Sequence, residues 1–164
     1  MSVDAVRAYL EPYGWADRVS TFDASTATVA DAAAALGVRP AQIAKTISLR
    51  GPEDSTILIV AAGDAKIASG PFKRRFGLKA SMLKFDEVEQ RTGHAVGGVC
   101  PFAVAPGVAV FLDESLRRFA EVFPAAGSPH AAVRLRLDEL AACIPDAQWV
   151  DVCSGWREAP EPLA

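Results

Sequence analysis

Residues 45–62 read KTISLRGPEDSTILIVAA. Two runs in this stretch, residues 45–50 and 56–62, are rich in β-branched side chains, and the GPEDS between them is made of turn formers. The stretch predicts a β-hairpin, and its flanks decide what kind of fold holds it. On its N-terminal side, TATVADAAAALGV (residues 26–38) places Thr28 three residues before Asp31 and ahead of an alanine-rich run that closes at Gly37. That pattern is an N-cap, a first-turn acid and a C-terminal glycine for one short helix. Pro40 then opens one more helical turn, where its missing N–H costs nothing.

On the C-terminal side, helix and strand signals are interleaved. Gly70-Pro71 interrupts DAKIASGPFKRRFGL, so a second helix is expected from Pro71. KFDEVEQRTG reads as a helix with Asp86 near its N-cap and Gly93 past its end. GVAVFLD, AAVRLRL and AQWVDVC read as strands, and LDELAACIP as a helix stopped at Pro145. The order lacks the regular βα alternation of a doubly wound sheet. A mixed α/β fold is expected, with a mixed, largely antiparallel sheet and helices packed around it.

With 164 residues and 51% hydrophobic content, the chain suits one domain with a real core, read as residues 1–153. Residues 154–164, SGWREAPEPLA, are expected to fray. No run of 18 apolar residues and no basic-then-apolar leader is present, so a cytoplasmic protein without a membrane partner is expected. The three cysteines, Cys100, Cys143 and Cys153, form no CxxC, and with only two histidines neither a disulfide framework nor a zinc site is expected. The net charge of −3 argues against wholesale coating of nucleic acid, and DNA is not expected as a partner. Its distribution matters more. Lys66, Lys73, Arg74, Arg75, Lys79 and Lys84 follow one another with no acidic residue between Asp64 and Asp86. Such a run is either a solvated helix face or a footprint for phosphates.

Phosphate-loop, dinucleotide, zincin and α/β-hydrolase motifs are absent. Three features remain. Lys45 stands at the entrance of the hairpin among Ile43, Ala44 and Ile47, out of place for a merely solvated lysine. GHAVGGVCPFAVAP (residues 93–106) is unsuited to helix or regular strand, and its Gly97 and Gly98 would let backbone N–H groups converge on a ligand. Gly127, Ser128, Pro129 and His130 form another tight loop ending in an imidazole. Cys100 is a conceivable nucleophile if His94 or His130 lies near, set against its reading as a small apolar residue packed under a loop.

QIAKTISL, VGGVCPF, VFLDESL and AAGSPHAAVRL, in that order over residues 28–143, resemble the YbaK/prolyl-tRNA synthetase editing-domain family of free-standing aminoacyl-tRNA deacylases. The resemblance implies a mixed α/β fold and hydrolysis of the ester that joins a wrong amino acid to tRNA, without metal or other cofactor. The partner implied is the acceptor end of a mischarged aminoacyl-tRNA, tRNA(Pro) with a small wrong amino acid first, and prolyl-tRNA synthetase beside it. The family's lysine aligns with Lys45, its GxxxP loop with Gly97, Gly98, Val99, Cys100 and Pro101, and its second glycine loop with Gly127, Ser128 and His130. Thr46 follows the lysine where the alanine-specific branch carries Asn, so the amino acid removed is left open.

On that reading Lys45 is a point cation for a phosphate or for developing negative charge, and N–H groups around Gly97 and Gly98 face the ester carbonyl. Thr46, Val99, Cys100, Pro101, Gly127, Ser128 and His130 contact substrate. Lys73, Arg74, Arg75 and Lys79 receive the acceptor stem. Two other readings stay open: a binding module without turnover, and a hydrolase dependent on Cys100.

Overall fold

The computed structural model describes residues 2–157. In chain order its elements are α1 (Ser2–Leu10), β1 (Val19–Thr21), α2 (Val29–Leu36), β2 (Ile43–Arg50), β3 (Thr56–Ala62), β4 (Lys66–Ile67), α3 (Ser69–Phe76), α4 (Val88–Thr92), β5 (Ala109–Asp113), β6 (Glu121–Pro124), β7 (Ala131–Val133), β8 (Leu135–Arg136), α5 (Leu137–Ala142), β9 (Gln148–Val150) and β10 (Cys153–Ser154).

The hairpin forms as the sequence predicts: β2 and β3 pair antiparallel from Ala44 opposite Ala62 to Arg50 opposite Thr56. Every residue of β3 is buried, as a continuous apolar run between two covered faces should be. Around this pair a six-stranded sheet is ordered β8-β6-β2-β3-β5-β9. It is mixed: β6 runs parallel to β2, β5 to β3 and β9 to β5, while β8 is antiparallel to β6. Two antiparallel pairs, β1 with β7 and β4 with β10, flank it.

Strand alternation splits the core in two. Val60, Ala62 and Leu112 face Leu116, Val122, Leu135, Leu140 and the buried Val6 and Leu10 of α1. Ile57, Ile59, Ala61 and Phe111 face Phe72 of α3, Val150 and Val152. Helix α2 lies at one end, with Ala32 and Ala33 against Ile43 and Phe123.

The caps expected for α2 are present: Thr28 Oγ1 accepts from Asp31 N–H at 3.0 Å, and the helix ends at Gly37. Helix α3 begins at Ser69 rather than at Pro71. Proline in its first turn lacks only an N–H that has no intrahelical partner there, so the ring does not split the helix. Before α4, Glu87 rather than Asp86 closes the turn, its Oε2 accepting from Lys84 N–H at 2.8 Å. AAVRLRL breaks at Arg134 into β7 and β8, and AQWVDVC breaks into β9 and β10. Helix α1 and strand β6 are unanticipated; α1 does carry Val3, Val6 and Leu10 at helical spacing. Part of the tail expected to fray is held: Ser154 pairs with Lys66, Trp156 Nε1–H donates to Cys153 C=O, and Arg157 pairs with Asp151 at 2.7 Å. The rest of it, residues 158–164, lies outside the described residues.

VFLDESL supplies a buried clamp. Asp113 accepts from Ser115 N–H at 2.9 Å and from Val152 N–H at 3.0 Å, and Ser115 Oγ accepts from Ala62 N–H at 3.0 Å. Two connections and the end of β3 thus meet at one carboxylate and one hydroxyl. Asp113→Ala leaves two buried N–H groups unpaired and is expected to destabilise the chain by about 2–4 kcal/mol, read by denaturant unfolding.

Candidate functional site

Strand β2 is incompletely paired along its outer edge. Strand β6 pairs with it only at Ile43 and Ala44. Farther along, the segment after α3 takes over: Leu83 N–H donates to Ser48 C=O at 3.1 Å, and Arg50 N–H donates to Ser81 C=O at 2.9 Å. Backbone groups in an antiparallel pair alternate between facing the partner and facing away, so Thr46, like Ser48 and Arg50, turns its N–H and C=O away from β3. These groups open into a gap between the end of β6 and the 81–83 segment. The gap is the floor of a cavity of about 450 Å³ whose walls include Thr26, Thr28, Ile43, Lys45, Phe85, Gly97 and Val99.

The lining is mostly apolar, with two polar exceptions that need a partner. The Oγ1 atoms of Thr26 and Thr46 are buried without one, and Thr26 is only 5% exposed. A buried hydroxyl left unpaired costs about 1–3 kcal/mol; both oxygens are sealed from solvent as placed and reach an occupant of the cavity only when their side chains turn toward it.

Lys45 occupies one wall. Its ammonium donates to Gly63 C=O at 3.3 Å, which leaves it further donors. The nearby Asp64 carboxylate is engaged by Arg118 at 2.6 and 3.0 Å and forms no ion pair with the lysine. Burial lowers the Lys45 pKa below the ordinary lysine value; Cys153 and Asp64 oppose that and Lys66 adds to it. Gly63 is the residue that makes this geometry possible, since a Cβ there would stand 2.0 Å from Pro40 O.

The two glycine loops meet as a stacked pair. Gly127 N–H donates to Gly98 C=O at 3.0 Å, and a Cβ on Gly98 would stand 2.3 Å from Ser128 N and 2.4 Å from Ser128 Cα. Gly98 therefore makes room for the second loop rather than for a ligand, and its N–H is already given to Ala95 C=O at 2.9 Å. The N–H groups of Gly97 and Val99 have no such partner among the described residues, and both residues line the cavity. The second loop reaches the cavity indirectly: Pro129 C=O accepts from Thr26 N–H at 2.6 Å, and the imidazole of His130 donates through Nδ1 to Ala24 C=O at 3.1 Å. Both bonds fix the 24–27 segment that carries Thr26.

Of the sequence-predicted residues, Lys45, Thr46, Gly97 and Val99 converge on the cavity. Gly98, Gly127 and Ser128 sit behind it, and His130 is exposed outside it. Pro101 is buried and borders a different cavity, with Tyr9 and Ile144. Cys100 does lie beside His94, Sγ to Nε2 at 3.5 Å, but it is fully buried, and burial pushes its thiol up to about 12. His94 Nε2 gives its proton to Phe102 C=O at 2.6 Å. A protonated thiol sealed from the cavity is a poor nucleophile, which counts against the Cys100 hydrolase reading. Lys73, Arg74, Arg75 and Lys79 are exposed on or just after α3, and none lines the cavity; Arg75 is tied to Gln148 at 2.9 Å. Thr26, Met82 and Phe85 are site residues that the sequence reading misses, because chain segments distant in sequence bring them to the gap.

Two outcomes follow from the loops. Gly98→Ala forces two backbones apart, and overpacking of about 1–3 kcal/mol or more lowers the thermal midpoint by roughly 5–10 °C; an unchanged midpoint contradicts the contact. His94 is held neutral, its pKa lowered by burial against the opposing Phe102 bond. The unfolded chain then takes up a proton near the ordinary value of 6.5 while the folded chain does not. Stability from this group is present above that pH and is lost as pH falls toward the folded pKa. His94→Gln is expected to flatten the fall in thermal midpoint below pH 6.5 relative to the parent chain.

Comparison with known proteins agrees with this architecture. The family model described as aminoacyl-tRNA editing domain matches residues 23–143. The uncharacterized protein YwhH of Bacillus subtilis (strain 168) is 46% identical over 157 residues, spanning 96% of this chain and 100% of that one. The crystal structure of a candidate trans-editing enzyme for prolyl tRNA synthetase superposes with a TM-score of 0.83 at 32% identity, covering 94% of this chain and 98% of that one. That of hypothetical protein APE2540 gives 0.81 at 28% identity, covering 92% and 99%. The chain belongs to the aminoacyl-tRNA editing domain family, as the ordered motifs around Lys45, Gly97, Asp113 and Gly127 imply.

Proposed function

We propose that this chain is a trans-editing deacylase that hydrolyses the ester of a small, wrongly attached amino acid on tRNA, with tRNA(Pro) the first candidate because a structural relative is linked to prolyl tRNA synthetase. The observation that carries the reading is the gap at Thr46: a cavity of about 450 Å³ at a strand edge, bounded by one ammonium and two orphaned hydroxyls. It has room for a small amino acid with its ribose.

An aminoacyl ester is activated, and the neighbouring ribose hydroxyl lies beside it. Hydrolysis then requires positioning and charge stabilisation more than a strong protein base. Water adds to the ester carbonyl, and the bond from carbonyl carbon to ribose oxygen breaks. The ribose leaves as a hydroxyl and the amino acid as a carboxylate. Lys45 stabilises the negative charge that develops, and the N–H groups of Gly97 and Val99 supply the donors first assigned to Gly97 and Gly98. Thr46 and Thr26 bind the amino acid, and the vicinal hydroxyl orients the water. Pro129 and His130 act by holding the 24–27 segment, and Ser128 Oγ accepts from His130 N–H to brace that loop. Lys73, Arg74 and Lys79 attract the acceptor stem through its phosphates.

Turned toward an occupant, the unpaired hydroxyls of Thr26 and Thr46 favour amino acids that bring a hydrogen-bonding side chain. Deacylation of tRNA(Pro) charged with serine, threonine, cysteine, alanine, 2-aminobutyrate or proline is the test. Serine or threonine is expected to be removed about tenfold faster than alanine or 2-aminobutyrate, with proline spared. Lys45→Ala is expected to lower the rate about a hundredfold or more. Turnover unaffected by the lysine would refute this mechanism.

A further inference from the structure

Four large apolar side chains are exposed among the described residues, and three of them, Met82, Phe85 and Val96, border the cavity. Phe85 is 79% exposed and Met82 64%, and Phe85 makes no ring contact with another described aromatic. Keeping a phenyl ring in water at the mouth of an otherwise well-packed cavity is unfavourable unless something covers it. Among the described residues the local chain gives no cover: Phe85 opens the turn Phe85–Glu87, and the next apolar residue, Val88, is already buried in the cavity wall.

The surroundings say what chemistry would cover it. In sequence the ring follows Lys84, the last of the run Lys66, Lys73, Arg74, Arg75, Lys79 and Lys84, and precedes Asp86 and Glu87. Arg75 of that run is held at Gln148 of β9, away from the β2 edge. An exposed aromatic face with a lysine next to it is a combination that binds single-stranded nucleic acid, the ring stacking on a base and the ammonium attracting a phosphate. Connectivity points the same way. If an ester carbonyl lies against Lys45 and Thr46, only one ribose separates it from the nucleotide's base, which puts the base within reach of the rim where the exposed Phe85 and Met82 stand.

We infer that Phe85, backed by Met82, is a stacking platform for the unpaired terminal base of the tRNA whose ester enters the cavity. This rests on the deacylase reading but adds a contact to it: recognition of the nucleoside apart from the amino acid and apart from the phosphates. Stacking is tolerant of ring chemistry, so Phe85→Trp preserves the platform and Phe85→Ala removes it.

The test pairs a kinetic arm with a binding arm. In the first, Phe85→Ala and Phe85→Trp are compared with the parent chain on charged tRNA and on an aminoacyl ester of ribose lacking a base. Phe85→Ala is expected to lose about 5- to 100-fold in kcat/KM on charged tRNA and at least about fivefold less on the base-free ester, while Phe85→Trp stays near the parent. Equal losses on both substrates, or none on either, overturn the platform with the deacylase reading intact. In the second arm, the added fluorescence of Phe85→Trp over the parent chain is titrated with uncharged tRNA, either intact or lacking its terminal nucleotide. Quenching by the intact tRNA alone supports the platform, even if the parent chain turns over no charged tRNA and the deacylase reading fails. Quenching indifferent to the terminal nucleotide overturns it, as does sedimentation showing a dimer that Phe85→Ala dissociates, since a second copy would then be the cover.

Discussion

An unpaired stretch of sheet edge is a liability, because each backbone group there has lost water without gaining a partner. Strand β2 carries such a stretch at one residue. Its outer edge is satisfied by β6 at Ala44 and by the 81–83 segment at Ser48 and Arg50, and at Thr46 by neither. The rest of the site depends on that interruption. A β6 longer by two residues would pair with Thr46 and leave no cavity; a continuous 81–83 contact would do the same from the other side. Pairing with β6 stops where Ala44 lies opposite Pro124, and β6 ends there, which leaves Thr46 without a rung.

Around the gap, rigid parts hold each wall. The Asp113 and Ser115 clamp fixes the end of β3 and thereby Gly63, whose carbonyl anchors the Lys45 ammonium. Opposite, the two glycine loops are pressed backbone to backbone, and the second of them grips the segment bearing Thr26. On the proposed reading, a lysine with no carboxylate partner, with backbone N–H donors beside it, would stabilise the negative charge that develops on the ester as it is hydrolysed.

The hairpin and α2 were legible because their signals are local: β-branched runs about a turn, and a cap at each helix end. Lys45 was legible for the same reason, as a charge among apolar neighbours. Gly98 shows the limit of such reading. A glycine that admits a ligand and a glycine that admits another loop look alike in sequence, and only the nearness of Ser128 separates them. His130 and Cys100 carried chemistry by residue type alone, but one turns outward to tie a loop and the other is sealed in the core. Thr26 and Phe85 belong to the site through long-range placement, the first by way of Pro129 and the second by the crossing of the 81–88 segment over the edge of β2. No local pattern encodes either.

The most direct test of the account is where the aminoacyl group binds. A stable amide analogue of 3′-aminoacyl adenosine, soaked into crystals of the protein, should place its amino acid in the gap beside Thr46, with its carbonyl facing Lys45 and a polar atom on Thr26 or Thr46 Oγ1. Binding of the amino acid anywhere else, with the Thr46 edge left unpaired, would contradict it.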